Sequence, residues 1–221
     1  VESEDTRYLL IDGGIHTRVD AASGEAIVPY VDVLDIPKLF YEEPGRMLLV
    51  GLGGGSVVKT YAGEGWRVDA VEIDPVVTRM AREHFGLADK DAAVYHMDGR
   101  AFLKTTGDTY DVAIMDAFGS SSIPFHLVTR EAFALIRSRL ARDGILALNV
   151  EAAGWHDVLV HSLAATMQNV FANVVVLPMA EPPDQLGNLV LLASDRTLEP
   201  RYELPVPMDR FSREYNRAHA W

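Results

Sequence analysis

Apolar runs in this 221-residue chain end repeatedly in residues that bind ligands or move protons: Gly51 to Ser56, Glu72-Ile73-Asp74, Asp98-Gly99, Asp116-Ala117-Phe118 and Asn149-Val150-Glu151. The first run, Met47-Leu48-Leu49-Val50, empties into Gly51-Leu52-Gly53-Gly54-Gly55. A buried strand stops at such a turn where backbone must approach a ligand closely, because glycine supplies φ freedom and lacks a Cβ. Glu72 follows about 20 residues later at the tip of the next apolar run, where an acid can accept hydrogen bonds from both ribose hydroxyls. Glycines alone are compatible with a tight turn and no ligand, but glycines followed by Glu72 point to a nucleotide or nucleoside.

The elements that must position these residues alternate in type. Strand-like runs at 46–51, 67–72, 92–96, 110–115 and 144–150 are each followed by a helical pattern, at 55–63, 75–85, 100–104, 129–141 and 156–170. Asp74-Pro75 opens the second helix, with proline at the first helical position. Repeated β-then-α units imply a parallel sheet with right-handed crossovers and helices on both faces. Ligands of such sheets bind at the carboxyl ends of the strands, where the acids stand. Residues 173–178 and 188–194 are both strand-like with no helix between them, so they pair antiparallel at one edge. Residues 7–19 read as two strands joined by Asp12-Gly13-Gly14, a hairpin signal. The expected organisation is an N-terminal β appendage over 1–40, a nucleoside-binding domain over 41–196 and a Pro-rich polar tail over 197–221.

A composition of 48% hydrophobic and 24% charged residues is that of an ordinary globular protein. The net charge of -12 argues against a nucleic-acid partner, because phosphate-backbone binders present clustered Lys and Arg. An acidic surface attracts cations such as amines. No apolar stretch reaches the roughly 18 residues that span a bilayer, and the acidic start Val-Glu-Ser-Glu-Asp has no signal core, so the expectation is a cytoplasmic segment without membrane contact. The chain starts at Val1, which leaves an upstream segment open. Zero cysteines exclude thiol catalysis, and no histidine pair has metal-ligand spacing, so no metal is assigned; His156 and His161 are expected on one helix but on different faces.

The ordered set of hairpin, glycine loop, Val-Glu-Ile-Asp, Asp-Gly, Tyr-Asp-Val-x-x-x-Asp and Ile-Pro-x-His-Leu-x-Thr-x-Glu-x-Phe resembles the spermidine synthase (polyamine aminopropyltransferase) superfamily over nearly its whole length. The resemblance implies a class I methyltransferase fold, a doubly wound and mostly parallel seven-stranded sheet. It implies that Gly51, Gly53 and Gly55 line a sulfonium nucleoside, S-adenosylmethionine or its decarboxylated form. Glu72, with Ile73, would hold the ribose, Asp98, with Gly99, the adenine amino group, and Asp116 would face the reacting centre. A turn aspartate is the alternative for Asp98. A homodimer is also implied.

Two departures bear on the reaction. Synthases typically read Gly-Gly-Gly-Asp-Gly in the first loop, whereas Gly54 stands where that aspartate would be. The family's aspartate lies near the ammonium end of the decarboxylated nucleoside. S-adenosylmethionine carries a further carboxylate there, and like charges about 4 Å apart cost about 4 kcal/mol at an effective dielectric of about 20. Glycine removes that repulsion and is expected to leave room, which favours methyl transfer. Synthases also carry paired acids after the fourth strand, where this chain has only Asp116 before Ala117-Phe118-Gly119. Tyr30 and Glu151 are the candidates to complete a site for a cationic amine or other small acceptor. A helix cap is expected of His126, in the loop before the helix at 129, ahead of a general base; Ser120, Ser121 and Ser122 read as a flexible lid. The functional expectation is a methyltransferase, with polyamine aminopropyl transfer or a non-catalytic nucleoside-binding domain as alternatives.

Overall fold

The computed structural model describes residues 1–198 other than 4, 12, 29, 118–122, 155 and 179–185. Asp12, the serines 120–122 and most of the expected tail thus lie outside the described residues. Among the described residues ten strands and six α-helices follow one another in this order: β1 (Glu2–Ser3), β2 (Thr6–Ile11), β3 (Gly14–Asp20), α1 (Tyr30–Leu34), β4 (Arg46–Val50), α2 (Ser56–Gly63), β5 (Arg67–Glu72), α3 (Pro75–His84), β6 (Ala93–His96), α4 (Gly99–Thr105), β7 (Tyr110–Met115), α5 (Arg130–Arg137), β8 (Leu140–Ala153), α6 (Val158–Gln168), β9 (Asn173–Pro178) and β10 (Leu186–Ser194). Short 3-10 turns cover Ile36–Phe40 and Phe125–Leu127.

The central sheet runs β6-β5-β4-β7-β8-β10-β9. Its first five members are parallel, and β10 pairs antiparallel with both β8 and β9. This is the doubly wound arrangement expected. Strand order reverses between β4 and β7, and a crevice opens at such a switch point beyond the strands' carboxyl ends. Side chains alternate across the sheet: Leu48 and Val50 face Phe102, Phe133 and Leu163 of α4, α5 and α6, while Met47 and Leu49 face Leu34, Val58 and Tyr61 of α1 and α2. Burial on both faces explains why β4 reads as an unbroken apolar run.

Local chemistry sets the helix starts on the site's side of the sheet. Asp74 caps α3 by accepting from the Val76 N–H at 2.8 Å, and Pro75 occupies the first helical position. Asp98, Thr129 and Asp157 cap α4, α5 and α6 in the same manner.

Three expectations change. Residues 30–40, read as part of a β appendage, are helical, and Val31, Val33, Leu34, Ile36 and Phe40 join the core of the central sheet. The helix expected to 141 stops at Arg137, and β8 begins at Leu140, paired with Tyr110 across an irregularity in register. The amphipathic pattern ran on because Leu140 is partly buried in the strand as it would be on a helix. Similarly, His156 precedes α6 instead of sharing it with His161. The hairpin of β2 and β3 has its own small core of Leu9 and Val19 against Val77 and Phe85 of the α3 region. Among the described residues no helix is long and apolar enough to cross a membrane.

Candidate active site

A cleft of about 720 Å³ opens over the carboxyl ends of β4, β5, β7 and β8 and is walled on one side by β3. Tyr30, Gly51, Gly53, Glu72, Ile73, Asp98, Gly99, Asp116 and Glu151 all line it. Topology alone brings these together from positions more than a hundred residues apart.

Gly51 leaves β4 at φ 94°, and its N–H donates to the Val71 carbonyl at 2.9 Å. A Cβ here would collide with the backbone of Asp116 and Ala117, so glycine is required where β4 and β7 splay apart. Gly54 and Gly55 stand behind the residues that line the cleft. The Gly54 N–H donates to Thr17 Oγ1 at 2.7 Å, and a Cβ at Gly54 would lie 2.6 Å from Thr17 Cγ2 and 3.1 Å from Phe85 Cδ1. Position 54 therefore leaves no room: the hairpin fills the space. Gly55 takes φ 79° to start α2, with Leu87 beside it.

Glu72 is only 8% exposed, and backbone holds it in place. Oε2 accepts from the Leu52 N–H at 3.0 Å, and Oε1 from the Asp74 N–H at 2.9 Å. Each oxygen keeps a lone pair for a further donor. Ile73, 70% exposed, forms the rim beside it.

Asp98 has the turn role: it holds the start of α4 and faces His126. Oδ1 caps α4 through the Ala101 N–H at 2.9 Å, and Oδ2 lies 2.8 Å from His126 Nε2. Burial acts to raise its pKa, but the His126 bond and the α4 N–H groups outweigh this and hold it below the ordinary value. His126 does not cap the next helix, since Thr129 does; Arg100 instead pins the His126 carbonyl at 2.9 Å. Gly99 starts α4, and a Cβ there would strike Val50.

Asp116 directly follows β7 at the cleft floor, half-buried, its N–H donating to the Val50 carbonyl at 2.8 Å. Burial pushes its carboxyl up to about 7, against a smaller lowering by Asn149, whose Nδ2 donates to Oδ1 at 2.7 Å. Asn188 Nδ2 in turn donates to Asn149 Oδ1 at 3.1 Å, which fixes the amide's orientation. Tyr30 is half-buried on the same wall. Burial raises its hydroxyl well above the ordinary value, and the Asp116 charge adds to this. Glu151 stands at the open side.

Sequence reasoning named Ser56 at the end of the glycine loop and Asn149 as a strand end but gave neither a role, and missed Asn188, Thr17 and Arg18; all five line the cleft. A polar residue inside the β10 apolar run was the available signal for Asn188. Thr17 and Arg18 carried none, because only tertiary docking sets the hairpin over the glycine loop.

The description of the spermine/spermidine synthase domain matches residues 30–199. A polyamine aminopropyltransferase of Vibrio vulnificus is 33% identical over 171 residues, 75% of this chain and 55% of that protein. A mouse eEF1A lysine and N-terminal methyltransferase is 33% identical over 140 residues, 57% of this chain and 20% of that protein. The chain thus spans about half the length of the Vibrio relative and less of the mouse one. Among solved structures, a probable spermidine synthase from Corynebacterium glutamicum superposes with a TM-score of 0.76 at 23% identity, covering 88% of this chain and 74% of that one. Human methyltransferase-like protein 13 in complex with SAH gives 0.62 at 24%, covering 86% and 88%. These two likenesses concern the fold. The family match begins at Tyr30 and takes in every strand of the central sheet, and on that extent the chain belongs to the spermine/spermidine synthase family.

Proposed function

We propose that this chain is a transferase using a sulfonium nucleoside, S-adenosylmethionine in preference to its decarboxylated form, and that it methylates an amine or other small nucleophile. The observation that carries methyl over aminopropyl transfer is the closed space at Gly54: Thr17 and Phe85 occupy the direction in which a synthase-type aspartate would extend. The aminopropyl reading is kept as the second because the Vibrio relative bears that name.

The residues fit such a nucleoside. Gly51 and Gly53 expose backbone on the cleft wall, and Glu72 offers its remaining lone pairs to ribose hydroxyls. Asp98, held charged, suits an adenine amino group. When bound, the nucleoside supplies an electrophilic carbon on sulfur with a neutral thioether as leaving group. Catalysis then rests on proximity and in-line placement, so the chain needs few chemical groups. An alkylammonium with pKa of about 10.4 is no nucleophile until it loses a proton. Asp116 Oδ2 is the atom to take that proton, because Asn149 occupies Oδ1. A carboxyl near 7 is a far better base than an ordinary aspartate. Tyr30 and Glu151 complete the wall that would hold a cationic acceptor.

The test is a mass-spectrometric product screen of the purified chain with amine acceptors and each nucleoside in turn. Methylated product supports the proposal. Aminopropylated product would move the assignment to the second reading, and binding without consumption of either nucleoside would leave a binding domain without turnover.

A further inference from the structure

The cleft is lined by five carboxylates, Glu72, Asp74, Asp98, Asp116 and Glu151, and by a single Lys or Arg, which is Arg18. Among the described residues Arg18 forms no ion pair with any of them. One of its terminal nitrogens donates to the Ile27 carbonyl at 3.3 Å, while Nε is buried with no hydrogen-bond partner. A buried guanidinium N–H without an acceptor is costly, and a guanidinium presents a fork matched to a carboxylate.

A second orphan lies on the same cleft. Ser56, 8% exposed, has its Oγ buried without a partner. It is the first residue of α2, an eight-residue helix whose N-terminus has no side-chain cap. Helix N–H groups and dipole favour an anion at that position. The Gly54 N–H donates to Thr17 Oγ1 at 2.7 Å, which docks the strand that carries Arg18 against the loop that leads into Ser56, and both residues line the one cleft.

We propose that Arg18 and Ser56 form a carboxylate site at the glycine-loop end of the cleft, filled by the aminoacyl carboxylate of intact S-adenosylmethionine. This rests on the sulfonium-nucleoside reading above and specifies the donor. An acidic cleft repels a carboxylate unless it holds a cation dedicated to it, and Arg18 has the free valence for that. The decarboxylated nucleoside has nothing to offer either orphan, so the pair selects against it.

Calorimetric titrations of the full chain, Arg18→Gln and Ser56→Ala test this with S-adenosylhomocysteine, its decarboxylated analogue and 5′-methylthioadenosine. Methylthioadenosine has no aminoacyl chain and reports on the nucleoside site and on folding. The expected result is that Arg18→Gln weakens S-adenosylhomocysteine about tenfold or more, the scale of a lost charged hydrogen bond, and leaves the other two ligands within about twofold. Ser56→Ala moves the same way by less and stands in if Arg18→Gln does not fold. Unchanged S-adenosylhomocysteine affinity in the variants, with methylthioadenosine still bound, overturns the carboxylate site and spares the nucleoside reading. Binding of none of the three ligands to the parent chain overturns both.

Discussion

Glu72 holds the Leu52 and Asp74 N–H groups with its two oxygens, so it has a structural duty as well as the proposed ribose duty. Alanine would remove both at once, whereas glutamine keeps one acceptor. Glu72→Gln is therefore expected to weaken nucleoside binding by about 1.5–3 kcal/mol in calorimetry while melting within a few degrees of the parent; an unchanged affinity refutes the ribose assignment. Asp116 yields a prediction independent of any ligand. Its carboxyl moves from an ordinary 3.8 to about 7 in the fold, so between those values the folded chain holds a proton that the unfolded chain has released. That contribution to stability is fully present near pH 4, is lost as pH rises to about 7, and is flat beyond. Asp116→Asn lacks the titration, so urea unfolding across this range should show the variant gaining on the parent by about 1–3 kcal/mol between pH 4 and 8. A pH-independent difference would mean that the carboxyl is not shifted.

The elements most legible in the sequence were the five β-then-α units, because the central strands β4, β7 and β8 read as largely apolar runs and α3 and α4 open on Asp-Pro and Asp-Gly. Legibility stopped where tertiary contact decided. The segment 30–40 was counted with the β appendage, whereas packing makes Val31, Leu34 and Phe40 part of the main core. Asp69, buried in the middle of β5, is 2.6 Å from Arg46 and 2.9 Å from the Tyr110 hydroxyl, a pairing that no local pattern announces. The glycine loop was read correctly as a loop but misjudged in detail. Gly51 is needed to pass Asp116, while Gly54 and Gly55 answer to Thr17 and Leu87. Gly51→Ala combines φ 94° with a backbone collision, so it should cost more than about 2 kcal/mol in denaturant melts, well beyond an ordinary exposed glycine change.

The molecule as a whole is acidic, at net charge -12, and its cleft repeats that sign with one cation set among five acids. Electrostatic attraction should speed the arrival of a sulfonium or polyammonium ligand, so stopped-flow association rates are expected to fall as salt rises from about 0.01 to 0.15 M, while dissociation changes little. Acidity was plain from composition; its concentration around a single arginine required the fold. The bond from Gly54 to Thr17 constrains the order in which this chain can accept mutations. Gly54→Asp alone drives a side chain into Thr17 and Phe85 and should unfold or unseat the hairpin, whereas Thr17→Gly first vacates the contact and makes the same aspartate tolerable. Thermal melts of the two single variants and the double should thus be non-additive, with the double more stable than Gly54→Asp. On the proposed donor assignment, exchanging one donor nucleoside for the other in this chain requires the hairpin to change before the loop, which makes position 17 as decisive as the glycines.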